Sequence, residues 1–276
     1  MRGKLGLGTV QFGQAYGVSN ALGQVPAADV AAILKRAAAG GIGLLDTAAN
    51  YGHAEAVLAP LAKERFRIVS KTIAISHGLD AVIARARQSA TTLGVDTMLV
   101  HGAGDLADER LWPALQRLKA EGVFARIGIS TYVADDPAAL AVRFKPDVIQ
   151  LPFSLLDQRL LQDGSLAKLK SLGVEVHARS LFLQGLLFME QPPEKLKEAA
   201  EPLARLRTAL RQAGTTPLAA ALGFVLSRPE IAVGLVGVTS VEELDQILAA
   251  AGTPRPELDW PSFALHDVKV LTPSLW

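Results

Sequence analysis

The chain has 276 residues, half of them hydrophobic, enough for one large domain with a sizeable core. Its 28 basic and 27 acidic residues leave a formal net charge of +1, so the balance points to no nucleic acid, membrane surface or polyanionic partner. The absence of cysteine excludes disulfides, thiolate metal sites and cysteine nucleophiles.

The N-terminus, Met1-Arg2-Gly3-Lys4, runs into a strand-like segment without a signal-peptide core, and no apolar stretch reaches the length of a membrane span. A cytoplasmic enzyme or binding protein is expected. From there, short β-branched or leucine-rich runs alternate with alanine-rich amphipathic stretches. Strands are expected at 4–9, 43–46, 67–72, 97–101, 126–130, 147–151, 175–179 and 232–236. Helices are expected at 28–39, 53–63, 79–93, 108–121, 136–143, 164–172, 194–213 and 217–227, with a last one near 240–250. Gly40-Gly41, Gly94, Gly122 and Gly173 punctuate helix ends, and Asp29, Asp108 and Asp136 sit where first turns favour acid.

Eight βα pairs at this spacing predict an α/β protein, a (β/α)8 TIM barrel, with residues 1–276 forming a single domain. An open doubly wound sheet would also alternate. Against it, no G-x-G-x-x-G opens the first helix: Gly6-Leu7-Gly8 and Gly13 have the wrong spacing. The proline-rich stretch 253–261 reads as a loop wrapping after the last helix.

Four polar residues lie at or just past expected strand ends: Asp46 after Gly43-Leu44-Leu45, Tyr51 five residues on, Lys71 after Val69-Ser70, and His101 after Leu99-Val100. In a parallel barrel such positions share one mouth, where a carboxylate, phenol, ammonium and imidazole together can move a proton. Singly, each has a plainer reading: a lysine partner or helix cap for Asp46, packing for Tyr51, a rim ion pair for Lys71, a satisfied buried histidine for His101. Proton transfer to a substrate oxygen needs a donor held beside it. Tyr51 is the natural acid, and an ammonium beside a phenol favours its charged form. Asp46 would hold Lys71, and His101 could hydrogen-bond and orient that oxygen.

These residues resemble the aldo-keto reductase family over nearly the whole chain. Leu5-Gly6-Leu7-Gly8-Thr9 is similar to its opening segment, and Asp46-Thr47-Ala48, Tyr51-Gly52 and Glu55 to its D-T-A-x-x-Y-G-x-x-E signature. Val69-Ser70-Lys71, His101, Ile127-Gly128-Ile129-Ser130, Gln150 and Gly237-Val238-Thr239-Ser240 follow in order. The resemblance implies a nicotinamide dinucleotide laid across the mouth along Gly8, Thr9, Ser130, Thr131, Gln150, Arg179, Ser180, Gly237, Thr239, Ser240, Glu243 and Gln246. Ser130 and Gln150 would face the carboxamide, and Thr131 stands where many members have asparagine.

Two further stretches depart from the family pattern. Arg179 replaces an aromatic that stacks on nicotinamide; a guanidinium can stack, bind an anionic substrate group, or form a rim salt bridge. The family implies NADP(H), yet 237–247 carries Thr239, Ser240, Glu242, Glu243 and Asp245 and no cation, which leaves NAD(H) open with Glu243 at the ribose. The expected activity interconverts a small-molecule carbonyl, such as a sugar or small aldehyde, and its alcohol. The alternatives are a non-catalytic dinucleotide-binding regulatory subunit and a cofactor-free isomerase using Lys71 as base or Schiff-base amine. Gln11, Phe12, Tyr16 and Trp112 are substrate-loop candidates with equal claims as packing. Oligomeric state is not legible.

Overall fold

The computed structural model describes residues 2–17, 20, 23–62 and 64–276. Eight parallel strands close into a barrel in sequence order: β1 (Leu5–Gly8), β2 (Leu44–Asp46), β3 (Arg67–Lys71), β4 (Thr97–Val100), β5 (Arg126–Ser130), β6 (Val148–Pro152), β7 (Glu175–Arg179) and β8 (Val233–Gly237). Each pairs with its sequence neighbours, and β8 closes on β1 through Gly8↔Gly237. The expected TIM barrel is the fold, and all eight expected strands are present.

Outside run α1 (Ala27–Ala39), α2 (Ala54–Ala62), α3 (Leu79–Leu93), α4 (Leu111–Ala120), α5 (Pro137–Phe144), α6 (Ser165–Ser171), α7 (Ala200–Gln212), α8 (Pro217–Leu226) and α9 (Val241–Ala250). Their apolar stripes and the outer strand faces make one large core, in which Ile33, Leu45, Leu58, Ile68 and Phe224 are fully buried. Two helical expectations change. The stretch 194–199 is a 3-10 segment kinked at Leu196 (φ −122°), so α7 starts at Ala200. Asp108 precedes α4, its carboxylate held by the Arg110 guanidinium and backbone N–H. Asp136 is the N-cap of α5 and accepts from Ala139 N at 3.0 Å.

The interior is layered, because side chains two apart on a strand share a face. At the N-terminal end, the first residues of β3, β5 and β7 form an ionic layer. Glu175 accepts from Arg67 and Arg126, each at 2.5 Å, and contacts His177 Nε2 at 2.8 Å. Above it, Leu44, Val69, Leu99, Val148, Val233 and Leu235 form a separate apolar plug. The next inward positions, at the C-terminal mouth, are Asp46, Lys71, Gln150 and Arg179. The strand period that buries the plug therefore delivers polar groups to the mouth. The segment 253–261 does wrap: Trp260 is buried against Phe224, and its carbonyl accepts from Gln158 Nε2 at 2.7 Å.

Candidate active site

Lys71 is the hub of the mouth. Its ammonium is 1 % exposed and donates to Asp46 Oδ2 at 2.7 Å, Thr47 O at 2.9 Å and Tyr51 Oη at 3.2 Å. It also lies 4.8 Å from the centre of the Tyr51 ring. Burial pulls its proton affinity down, but Asp46 and Tyr51 outweigh that and hold the group above its ordinary value. A buried ammonium with all three N–H donors engaged has a fixed place and a fixed charge.

The loop carrying Tyr51 stays tied to β3 after β2 ends: Thr47 N donates to Val69 O at 2.8 Å and Ala49 N to Lys71 O at 3.3 Å. Gly13 then lets another loop pass beneath it, since a Cβ there would stand 1.8 Å from Tyr51 O. His101 meets the Tyr51 ring edge-on, with centroids 5.9 Å apart. Burial first, and the Lys71 charge second, push the His101 imidazole down to about 4. It is therefore neutral near neutral pH, with Nδ1 buried and unpartnered among the described residues. Asp46, Tyr51, Lys71 and His101 thus come together as the sequence reading expects.

The expected cofactor residues divide. Ser130 and Gln150 are register partners at the mouth ends of β5 and β6. Gln150 Nε2 donates to Asp46 Oδ1 at 2.6 Å, tying the β6 side of the mouth to the Asp46–Lys71–Tyr51 cluster. A serine hydroxyl and an amide oxygen side by side fit a carboxamide, which needs both an acceptor and a donor. Thr9 and Thr131 are buried and turned to backbone, Thr9 Oγ1 to Asp46 O at 3.0 Å and Thr131 Oγ1 to Gln150 O at 3.4 Å. They brace strand ends rather than offer a donor. Gly8 and Gly237 end the adjacent strands β1 and β8. The Gln11 amide lies against Gly237, where a Cβ would be 2.7 Å from its nitrogen, and its buried Oε1 has no partner among the described residues.

Past β8, Ser240 caps α9 and accepts from Glu243 N at 3.2 Å. Glu243 turns back to accept from Thr239 N at 2.6 Å and Thr239 Oγ1 at 3.0 Å. A carboxylate therefore occupies the donors that a phosphate would use. Gln246 is exposed one turn further on. Arg36 of α1 reaches this helix but is paired with Asp245 at 2.5 Å.

Arg179 is where the sequence reading left most open. No carboxylate lies within ion-pair distance of it among the described residues, so the rim salt bridge is absent. Its guanidinium donates to Thr131 O at 3.0 Å and Ser180 Oγ at 3.3 Å, and lies 4.5 Å from the centre of the Tyr132 ring. Of the loop candidates, Phe12 and Trp112 are core packing, 0 % and 6 % exposed, whereas Tyr16 reaches the mouth and accepts from Gln184 Nε2 at 3.1 Å. Tyr132 joins Tyr16 and Tyr51 there. Thr47 O, the third Lys71 acceptor, is a backbone group and has no sequence signal.

Fold and site together define a TIM barrel with a carboxylate, an ammonium, a phenol and an imidazole gathered in its mouth. The Aldo/keto reductase family model matches residues 4–264. L-galactose dehydrogenase of Arabidopsis thaliana is 28% identical, over 97% of this chain and 93% of its own length. An uncharacterized oxidoreductase of Mycobacterium tuberculosis is 30% identical, over 90% and 84%. Among solved structures, a holo-form aldo-keto reductase of Bacillus halodurans superposes with TM-score 0.76 at 20% identity, covering 99% of this chain and 93% of that one. An aldo-keto reductase of Klebsiella pneumoniae in complex with NADPH gives 0.72 at 22%, covering 94% and 89%. The chain belongs to the aldo/keto reductase family. It is an NAD(P)-dependent oxidoreductase of carbonyl compounds. Among the described residues, no helix is long and apolar enough to cross a membrane.

Proposed function

We propose that the chain, working as one domain, interconverts a small aldehyde or sugar carbonyl and its alcohol, with Tyr51 as the general acid and base. The observation that carries this is the bonding of one buried ammonium, Lys71, to both Tyr51 Oη and Asp46 Oδ2. Ser130 and Gln150 would hold a nicotinamide by its carboxamide, and that group when bound would supply or take the hydride. Tyr51 gives its phenolic proton to the carbonyl oxygen, and the Lys71 charge stabilises the phenolate left behind. Neutral His101 donates a hydrogen bond to the same oxygen and orients it. In the oxidising direction the phenolate takes the alcohol proton. The similarity to L-galactose dehydrogenase supports a sugar hydroxyl or its carbonyl as one substrate class.

For the cofactor we propose NAD(H). Glu243 sits on the donors at the start of α9, where its carboxylate would repel a 2′-phosphate and accept from a free ribose hydroxyl. The test is twofold. NADH and NADPH are titrated separately by fluorescence quenching, and aldehyde reduction is followed in wild type and Tyr51→Phe. Tighter NADH binding, with turnover lost in Tyr51→Phe and cofactor binding kept, is expected. Retained turnover in Tyr51→Phe removes Tyr51 from the acid role, and tighter NADPH binding removes the NAD(H) assignment.

A further inference from the structure

We propose that Arg179 makes this a reductase of acidic carbonyl compounds, its guanidinium taking a carboxylate on the substrate while the carbonyl faces Tyr51 and His101. The proposal rests on the acid–base reading of the quartet.

The mouth carries one uncompensated charge. Lys71 and Asp46 cancel each other at 2.7 Å, and His101 is uncharged near neutral pH. Asp135, the acid in the neighbouring loop, turns to the Tyr132 backbone N–H at 2.7 Å. Arg179 is left as a positive charge with no acid within ion-pair distance among the described residues. It follows Glu175 and His177 on the inward face of β7, pairs in register with Pro152, and its charge is felt at both His101 and Tyr16.

The guanidinium is held but not saturated. Of its five N–H donors, one goes to Thr131 O and one to Ser180 Oγ, while Tyr132 covers one ring-like face. The remaining donors lie in the plane, the geometry that accepts a carboxylate edge-on. The backbone after it is bent: Ser180, Leu183 and Gln184 all have positive φ (61°, 45° and 52°), conformations that non-glycine residues rarely adopt. Gln184 from this bend donates to Tyr16 Oη, in the loop after β1, at 3.1 Å. A carboxylate fits better than a phosphate, because a dianion calls for a second free cation and Lys71 is already neutralised.

The experiment uses the enzyme with saturating reduced cofactor and matched substrates: 4-oxobutanoate, butanal and glycolaldehyde phosphate. Wild type should favour 4-oxobutanoate over butanal in kcat/KM by about tenfold or more, and Arg179→Gln should collapse that ratio mainly through KM, with Arg179→Lys restoring part of it. Cofactor Kd should stay within about twofold in both variants. The proposal is overturned by turnover of butanal without preference for the acid, by equal losses on both, or by the main loss falling on cofactor binding. Preference for the phosphate over 4-oxobutanoate overturns the choice of carboxylate. If no aldehyde is reduced, the acid–base reading fails by itself. The anion site is then decided by calorimetric Kd for 4-hydroxybutanoate: tighter in wild type than in Arg179→Gln supports it, and equal values overturn it.

Discussion

Gln150 and Asp46, on opposite sides of the mouth, are joined by a 2.6 Å hydrogen bond from the β6 amide to the β2 carboxylate. Asp46 is thereby filled: one oxygen serves Gln150 and the other Lys71. Asp46→Asn would keep the shape but leave a buried ammonium without its counter-charge. Breaking such a pair costs about 3–5 kcal/mol. The variant should lose that stability in urea denaturation, and its aldehyde reduction should fall by at least the ~10²-fold typical of a lost acid–base component.

Acid should unfold this protein partly through His101. Its ordinary value of 6.5 falls to about 4 in the fold, so between these limits the unfolded chain binds the extra proton and stability rises with pH. The contribution is whole above the unfolded value and fades as pH falls toward the folded one, roughly 3 kcal/mol in all. Urea midpoints across this range should drop, and His101→Gln should flatten that part of the profile. An unchanged slope in the variant would place the acid sensitivity elsewhere.

The barrel was legible because both faces of its strands are apolar, giving short leucine- and valine-rich runs whose ends fall within a residue or two of the expected limits. The quartet was legible for a related reason: charged residues closing such runs have one place to go, the mouth. Helix starts were less clear. The stretch from Glu194 keeps a helical charge pattern through the kink at Leu196, yet Pro202, tolerated only in a first turn, marks the true start of α7 near Ala200. Arg179 was ambiguous because its partners, Thr131 and Tyr132, lie in the loop after β5, and only closure of the barrel brings them to it.

Cofactor choice should turn on Glu243. Replacing it with glutamine removes the negative charge from the Thr239 donors while keeping the helix cap at Ser240. The ratio of Kd for NADH to Kd for NADPH should rise by about tenfold, the scale of one lost repulsion at a helix start. Separate titrations of the two cofactors measure it. A ratio that does not move would show that the phosphate region lies away from α9.

Gly13 should tolerate no side chain. A Cβ at this position would collide with Tyr51 O at 1.8 Å and Ala54 N at 2.5 Å, both backbone atoms that cannot swing away. Gly13→Ala must therefore shift the loop carrying Tyr51, and about 1–3 kcal/mol of overpacking cost follows. Turnover should fall more steeply than stability, since displacing the phenol by ~1 Å is enough to cost about 10²-fold. Comparing kcat with the urea midpoint separates the two effects.

The opposite end of the barrel should behave the other way. Glu175 gathers Arg67, Arg126 and His177 at the N-terminal face, and that set holds the carboxyl well below the usual carboxylate range, His177 contributing most and Arg67 next. Glu175→Gln leaves two guanidiniums sharing Asp96, at 3.8 Å from Arg67 and 3.3 Å from Arg126. These side chains are about a quarter to a third exposed, so the loss should be nearer ~2 kcal/mol than the full value for a dry ion pair. In the wild-type enzyme this contribution is present above the ordinary carboxylate value of 4.5 and lost below it, a lower window than that of His101. The apolar plug of Leu44, Val69, Leu99 and Val148 separates this layer from the mouth. KM and kcat of Glu175→Gln should therefore match wild type at neutral pH while its unfolding midpoint falls; a change in kcat would mean that the plug transmits strain from one end of the barrel to the other.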